Sequence, residues 1–217
     1  MKIKTVILDF DGTLADTRPA ILATFRATLA QLGLPPVSDS DVQASIGLPL
    51  AESFARTGGI ADPQLLMRAT ETYRRLFGGF AATAVKLFPH VRETLQLLRT
   101  HGIATGVASS RGRESLDELI ARLGLREFFT TVCGEEDAPC AKPAPDLALK
   151  VLDLTGASPR EAVVVGDTSY DILMGHNAGC ATCGVTYGNH SREELAAAGA
   201  DYITDDFAQL LRLPGID

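Results

Sequence analysis

Thr5-Val6-Ile7-Leu8-Asp9-Phe10-Asp11-Gly12-Thr13-Leu14 opens with an apolar run, Thr5 to Phe10, rich in β-branched residues and broken only by an acid. A strand exposed on one face alternates apolar and polar residues; one without alternation is buried on both faces, as in the middle of a parallel sheet. The run ends in Asp9 and Asp11, with Gly12 behind them to turn the chain. In open α/β sheets ligands bind beyond the carboxyl ends of the strands, so both carboxylates stand where chemistry is done. Taken alone, an Asp-x-Asp here reads equally well as a pair of loop acids.

Beyond this strand, Asp16 or Thr17 can cap a helix with Pro19 in its first turn, and Ile21, Leu22, Phe25, Leu29 and Leu32 share one helical face before Gly33. From there to about Val85 the periodicity stays helical, punctuated at Pro35-Pro36, Gly47-Leu48-Pro49, Gly58-Gly59 and Gly78-Gly79, with no convincing strand. After Pro89, helices and strands alternate. Helical faces run through Val91, Leu95 and Leu98, and through Leu116, Leu119, Ile120 and Leu123. Strands are predicted at Ile103 to Ala108, Phe129 to Cys133, Ala162 to Val165, Ala181 to Thr186 and Tyr202 to Ile203. Such alternation implies right-handed crossovers and an α/β fold, a doubly wound, Rossmann-like parallel-sheet core carrying an all-helical insertion. The expected division is 1–16 with 86–217 as the core and 17–85 as the insertion.

The 217 residues hold 20 Lys and Arg against 27 Asp and Glu, a net charge of −7. No basic field is available to hold a nucleic-acid backbone or an anionic membrane. Asp9 and Asp11 interrupt the N-terminal apolar run where a signal peptide needs its core, and no stretch approaches a membrane span, so a cytoplasmic protein is expected. Four cysteines are too few for a disulfide scaffold, which leaves stability to packing.

Three further places match the strand-end rule. Val107-Ala108-Ser109-Ser110 runs a strand into two hydroxyls followed by Arg111, groups able to bind phosphate oxygens; the plainer reading is an N-cap for the next helix. In Cys140-Ala141-Lys142-Pro143-Ala144-Pro145 the prolines stiffen the chain and can aim the ammonium, although a lone lysine is usually solvated. Val163-Val164-Val165-Gly166-Asp167-Thr168-Ser169-Tyr170-Asp171 ends a strand in acids at i and i+4. They lie on one face if a helix starts at Thr168, where they equally suit simple capping.

Taken in order, the string Asp9 to Thr17, the hydroxyl of Ser109, Lys142 and the acids Asp167 and Asp171 resemble the four motifs of the haloacid dehalogenase superfamily. The likeness spans essentially the whole chain and points to phosphatases similar to phosphoglycolate phosphatase, with a helical cap inserted after the first motif. The resemblance implies that Asp9 is the nucleophile that forms an aspartyl-phosphate. Asp11 is then the general acid for the leaving alkoxide and the general base for the water that follows. It implies magnesium held by the Asp9 carboxylate, the Asp11 backbone carbonyl and Asp167, with Asp171 orienting a water on the metal. Lys142 pairs with Asp9 and the phosphate, while Ser109 and the amides near Gly12 and Ser110 grip the nonbridging oxygens.

Arg111, Arg18 and the turn at Gly47 are the remaining expected substrate contacts; an arginine there suits a second carboxylate or phosphate. The expected partner is a small phosphorylated metabolite such as phosphoglycolate, pyrophosphate or a sugar phosphate, bound by a monomer or homodimer. Members that displace halide usually lack the second aspartate, so Asp11 argues against carbon–halogen cleavage. A phosphomutase of the β-phosphoglucomutase type and a non-catalytic binding module on the same fold are the alternatives. Cys180 and Cys183 form a C-x-x-C without a second pair or nearby histidine, which reads as core packing. Cys140 lies two residues before Lys142, whose ammonium could lower a thiol pKa, making it a candidate for redox sensitivity. His90, His101, His176 and His190 show no metal-ligand spacing.

Overall fold

A computed structural model describes residues 2–216. Its elements are β1 (Thr5–Leu8), β2 (Ala15–Asp16), α1 (Arg18–Gln31), α2 (Asp39–Ala44), α3 (Leu50–Gly58), α4 (Pro63–Ala84), β3 (Lys86–Leu87), α5 (Val91–Thr100), β4 (Ala104–Ala108), α6 (Arg113–Arg122), β5 (Thr131–Cys133), α7 (Asp146–Thr155), β6 (Ala162–Gly166), α8 (Ser169–Asn177), β7 (Ala181–Val185), α9 (Arg192–Ala197) and β8 (Tyr202–Thr204). Six strands form one sheet in the order β5-β4-β1-β6-β7-β8, each neighbouring pair parallel. This is the expected Rossmann-like α/β architecture.

The lack of polar alternation in β1 now has its cause. Val6 and Leu8, with Val163 and Val165 beside them, enter one apolar cluster. Ile7 and Val164 enter a second cluster with Leu147 and Val151 of α7 and Met174 of α8. Each such side chain contributes about 1.5–3 kcal/mol on leaving water, so both faces must stay apolar. From β1 the chain steps outward to β4 and β5, then crosses to β6 and steps the other way. The switch point therefore lies between β1 and β6, where the Asp9 amide donates to the Val165 carbonyl at 2.9 Å.

Helices α1 to α4 occupy the stretch between β2 and β3. α1, α3 and α4 share an aromatic cluster: Phe25 stacks on Phe54 at 4.1 Å and Tyr73 on Phe77 at 5.8 Å. Gly78-Gly79 does not break this stretch as expected, because α4 runs through both glycines. Each costs about 1 kcal/mol of helix propensity, and burial of Tyr73, Phe77 and Ala81 on the same helix offsets it. Thr17 does occupy the N-cap of α1 but its side chain makes no capping bond; its backbone is helical (φ −100°, ψ −9°) instead of extended. The antiparallel pair β2–β3 went unrecognised, since two residues per strand cannot display a period of two. β5 begins two residues later than expected because a 3-10 turn, Arg126–Phe128, precedes it.

Cys180 and Cys183 are buried in different clusters, so they share no site. Burial pushes their thiols up to about 11 and about 12. Cys140 is exposed. His90 is left-handed (φ 62°), with its ring Nδ1 2.8 Å from Asp206 Oδ2. No described helix is long and apolar enough to cross a membrane.

Candidate active site

At the carboxyl end of the sheet the separated motifs converge. Lys142 Nζ donates to Asp9 Oδ1 at 2.6 Å and to Asp171 Oδ1 at 2.7 Å. Asp171 Oδ2 accepts from the amide and hydroxyl of Thr168 at 3.0 and 2.7 Å. One carboxylate thus caps its helix and also meets the lysine, so both readings of Asp171 hold. Asp167 lies before α8, whose N-cap is Thr168, so the two acids do not share a helix face. They converge because one ends a strand and the other occupies the first turn behind it. Asp167 Oδ1 accepts from Thr13 Oγ1 at 3.1 Å, and its Oδ2 accepts from the backbone and side-chain N–H groups of Asn189 at 2.7 and 2.8 Å.

Three buried carboxylates therefore face one ammonium. Burial drives the Asp9 carboxyl well above its ordinary range; Lys142 opposes this, and Asp171 and Asp167 add to it. Burial, then Asp171, pushes Asp167 up to about 7, against the hydrogen bonds from Asn189 and Thr13. Burial would lower Lys142, but Asp171 and Asp9 outweigh it and hold the amine charged. Asp9, Asp167 and Asp171 offer oxygens that all lie within 4.8 Å of one another. A hard, all-oxygen donor set with surplus negative charge fits a divalent cation of the magnesium class.

Gly12 sits at φ +95°, and a Cβ there would fall 2.2 Å from Asp167 Oδ2. We expect Gly12→Ala to lower stability by about 1–3 kcal/mol through the backbone alone, and to cut turnover by displacing Asp167. Thermal unfolding and initial rates check this; a variant matching wild type in both would show that the turn relaxes freely.

Ser109 does not cap α6, which begins at Arg113 with Gly112 as its N-cap. Its Oγ accepts from the Arg111 amide at 3.2 Å. The neighbouring Ser110 hydroxyl is buried and has no hydrogen-bond partner among the described residues. Arg111, an expected substrate contact, lines the cavity and meets a carboxylate of the protein there. Its Nε and Nη2 donate to the two oxygens of Asp11 at 2.9 and 2.7 Å, and the guanidinium lies 4.3 Å over the Phe77 ring. The fork matches the carboxylate, and the aromatic face holds it flat.

Asp9, Asp11, Ser109, Ser110, Arg111 and Gly47 all line one cavity of about 540 Å³. Arg18, which opens α1, is not among the residues lining it; Arg74 and Arg75 of α4 are. Sequence reasoning missed Thr13, Asn189, Tyr73 and these two arginines. Only Asn189 had a readable signal, since it follows the carboxyl end of β7.

The fold and this cluster define an α/β protein with a buried, carboxylate-rich site at the carboxyl end of its parallel sheet. The chain belongs to the haloacid dehalogenase-like hydrolase family, whose pattern matches residues 6–185. It is 29% identical over 220 residues to a phosphoglycolate phosphatase of Haemophilus influenzae, covering 98% of each chain. It is 32% identical over 216 residues to the pyrophosphatase PpaX of Anoxybacillus flavithermus, covering 100% of this chain and 99% of the relative. A crystal structure of a predicted phosphoglycolate phosphatase from Haemophilus somnus superposes with a TM-score of 0.89 at 25% identity, covering 98% of both chains.

Proposed function

We propose that the protein is a magnesium-dependent cytoplasmic phosphatase that hydrolyses a small phosphorylated metabolite through an aspartyl-phosphate at Asp9. The observation that carries this is the buried Asp9–Lys142–Asp171 chain opening, through Asp9, onto the cavity. Lys142 fixes one oxygen of Asp9. The carboxylate attacks phosphorus, the bond from phosphorus to the ester oxygen breaks, and the departing alkoxide takes a proton from Asp11. Water then attacks the phosphoryl group, giving its proton back to Asp11; the Asp9–phosphorus bond breaks and inorganic phosphate leaves. Asp11 is held on both oxygens by Arg111, which fixes its carboxyl group where it lines the cavity and leaves a second lone pair on each oxygen for the proton. Ser109 and the Ser110 hydroxyl, unpartnered among the described residues, grip the nonbridging oxygens; the Gly12 amide already donates to the Ala15 carbonyl at 2.9 Å.

Magnesium, held by Asp9, Asp167 and the Asp11 carbonyl with Asp171 behind them, would offset the like charges of carboxylate and phosphate. Residues 17–85 serve as a helical cap over the core of 1–16 and 86–217, excluding water from the cavity. Two hydrogen bonds tie the insertion to the sheet side: Gln43 Nε2 to the Asn189 carbonyl at 3.1 Å, and Arg56 Nη1 to the Tyr170 hydroxyl at 3.0 Å. Phosphate release from a panel of phosphorylated metabolites tests the reading. Chelation should abolish activity and added magnesium restore it. Isomerised sugar phosphates with little free phosphate would instead show a mutase.

A further inference from the structure

Asp167 is fully buried, and the fold treats its two oxygens differently. An ionised carboxylate offers about four lone-pair sites, shared equally between its oxygens. Oδ2 has both of its sites filled by Asn189, whose backbone and side-chain N–H groups donate to it at 2.7 and 2.8 Å. Oδ1 accepts only from Thr13 Oγ1, at 3.1 Å, and keeps one site free. Packing enforces the same division. Gly12 and Gly188 bring backbone against Oδ2, and a Cβ on them would fall 2.2 and 2.3 Å from that atom. The Asn189 amide keeps its N–H groups toward Oδ2 although its own Oδ1 is then buried with no partner among the described residues. Turning the amide over would set oxygen against oxygen.

Asp171 repeats the pattern: its Oδ2 accepts twice from Thr168 and its Oδ1 once from Lys142. Each of these two acids can therefore give a cation one oxygen and not two. That limit separates the hard cations. Calcium takes about six to eight oxygens in flexible geometry and readily uses both atoms of a carboxylate. Magnesium demands near-ideal octahedral geometry, which the narrow bite of one carboxylate does not meet, and keeps several waters.

We propose that Asn189 determines which cation this site takes: by holding Oδ2 it confines Asp167 to a single oxygen and so selects magnesium over calcium. This rests on the reading that the carboxylate cluster holds a divalent cation, and it makes Asn189 a positioning residue that acts through Asp167.

The test is calorimetric titration of the metal-free protein, without substrate, with magnesium and separately with calcium. Wild type should bind magnesium more tightly. Asn189→Ala frees a site on Oδ2 and opens the space beside it. Magnesium should then weaken about tenfold or more, the usual cost of losing a ligand's hydrogen-bond partner, while calcium holds or gains. Asn189→Asp replaces the donor by an oxygen of the same shape and should move the ratio of the two affinities further toward calcium; it decides the matter where Asn189→Ala does not fold. Thr13→Val removes the bond to the other oxygen and should change both cations together. Mere loosening of the loop would weaken both cations alike. A ratio unmoved by either Asn189 variant, or a wild type that prefers calcium, would overturn the inference and leave the cation reading intact. A wild type that binds neither cation would overturn both.

Discussion

Asp9→Asn is expected to lower kcat by about 10⁴-fold or more while leaving the circular dichroism spectrum and the unfolding midpoint close to wild type. The amide has the same shape and can still accept from Lys142 through its oxygen, but it cannot attack phosphorus. Stability should survive because burial already disfavours the charged form of Asp9, and three like charges, Asp171, Asp167 and Asp11, stand near it. Lys142 keeps Asp171 at 2.7 Å as an ionic partner. Phosphate release must be measured on a preparation freed of contaminating phosphatase, with fluoroberyllate binding as a second readout, since its adduct mimics the phosphoryl group on the carboxylate. A variant within tenfold of wild type would exclude attack by Asp9.

Much of this arrangement is legible from the sequence where one residue's neighbours along the chain determine its setting. β1 is readable because burial on both faces needs no knowledge of which elements do the burying. Asp9 and Asp167 follow directly, as the first polar side chains beyond their strands. What escapes is pairing across distance. The Arg111 fork on Asp11 joins positions a hundred residues apart, and neither local pattern specifies the other. Helix α4 buries a stripe through Ala69, Tyr73, Phe77 and Ala81 that the expected break at Gly78-Gly79 obscured, and periodicity cannot say that its rim, with Arg74 and Arg75, borders the cavity. Asn189 sits in a loop whose course depends on how closely Gly188 approaches Asp167, where a Cβ would come within 2.3 Å. Arg18 is a related case: closeness in sequence to Asp11 does not place it among the residues lining the cavity.

Lys142→Met should be the most destabilising single change in the site. Methionine keeps the length of the stem, so the loss isolates the charge. In wild type the Lys142 side chain is fully buried and its ammonium bonds two carboxylates, while a third lies in the same cluster. Removing one partner of a buried ion pair leaves uncompensated charge, typically costing about 3–5 kcal/mol. At about 2–4 °C per kcal/mol for a chain of this size, the midpoint without metal should fall by about 6–20 °C. Turnover should fall about 10²–10³-fold, because the same ammonium no longer meets the charge that develops on phosphorus. Two controls separate the electrostatic cause from simple loss of packing. Combining Lys142→Met with Asp171→Asn removes one of the stranded charges, so the double variant should unfold at a higher temperature than Lys142→Met alone. Magnesium should raise the midpoint of Lys142→Met more than that of wild type, because the cation supplies the positive charge the cluster has lost. A Lys142→Met protein that melted within a degree or two of wild type without metal would show that the three carboxylates take up protons on folding and need no ammonium.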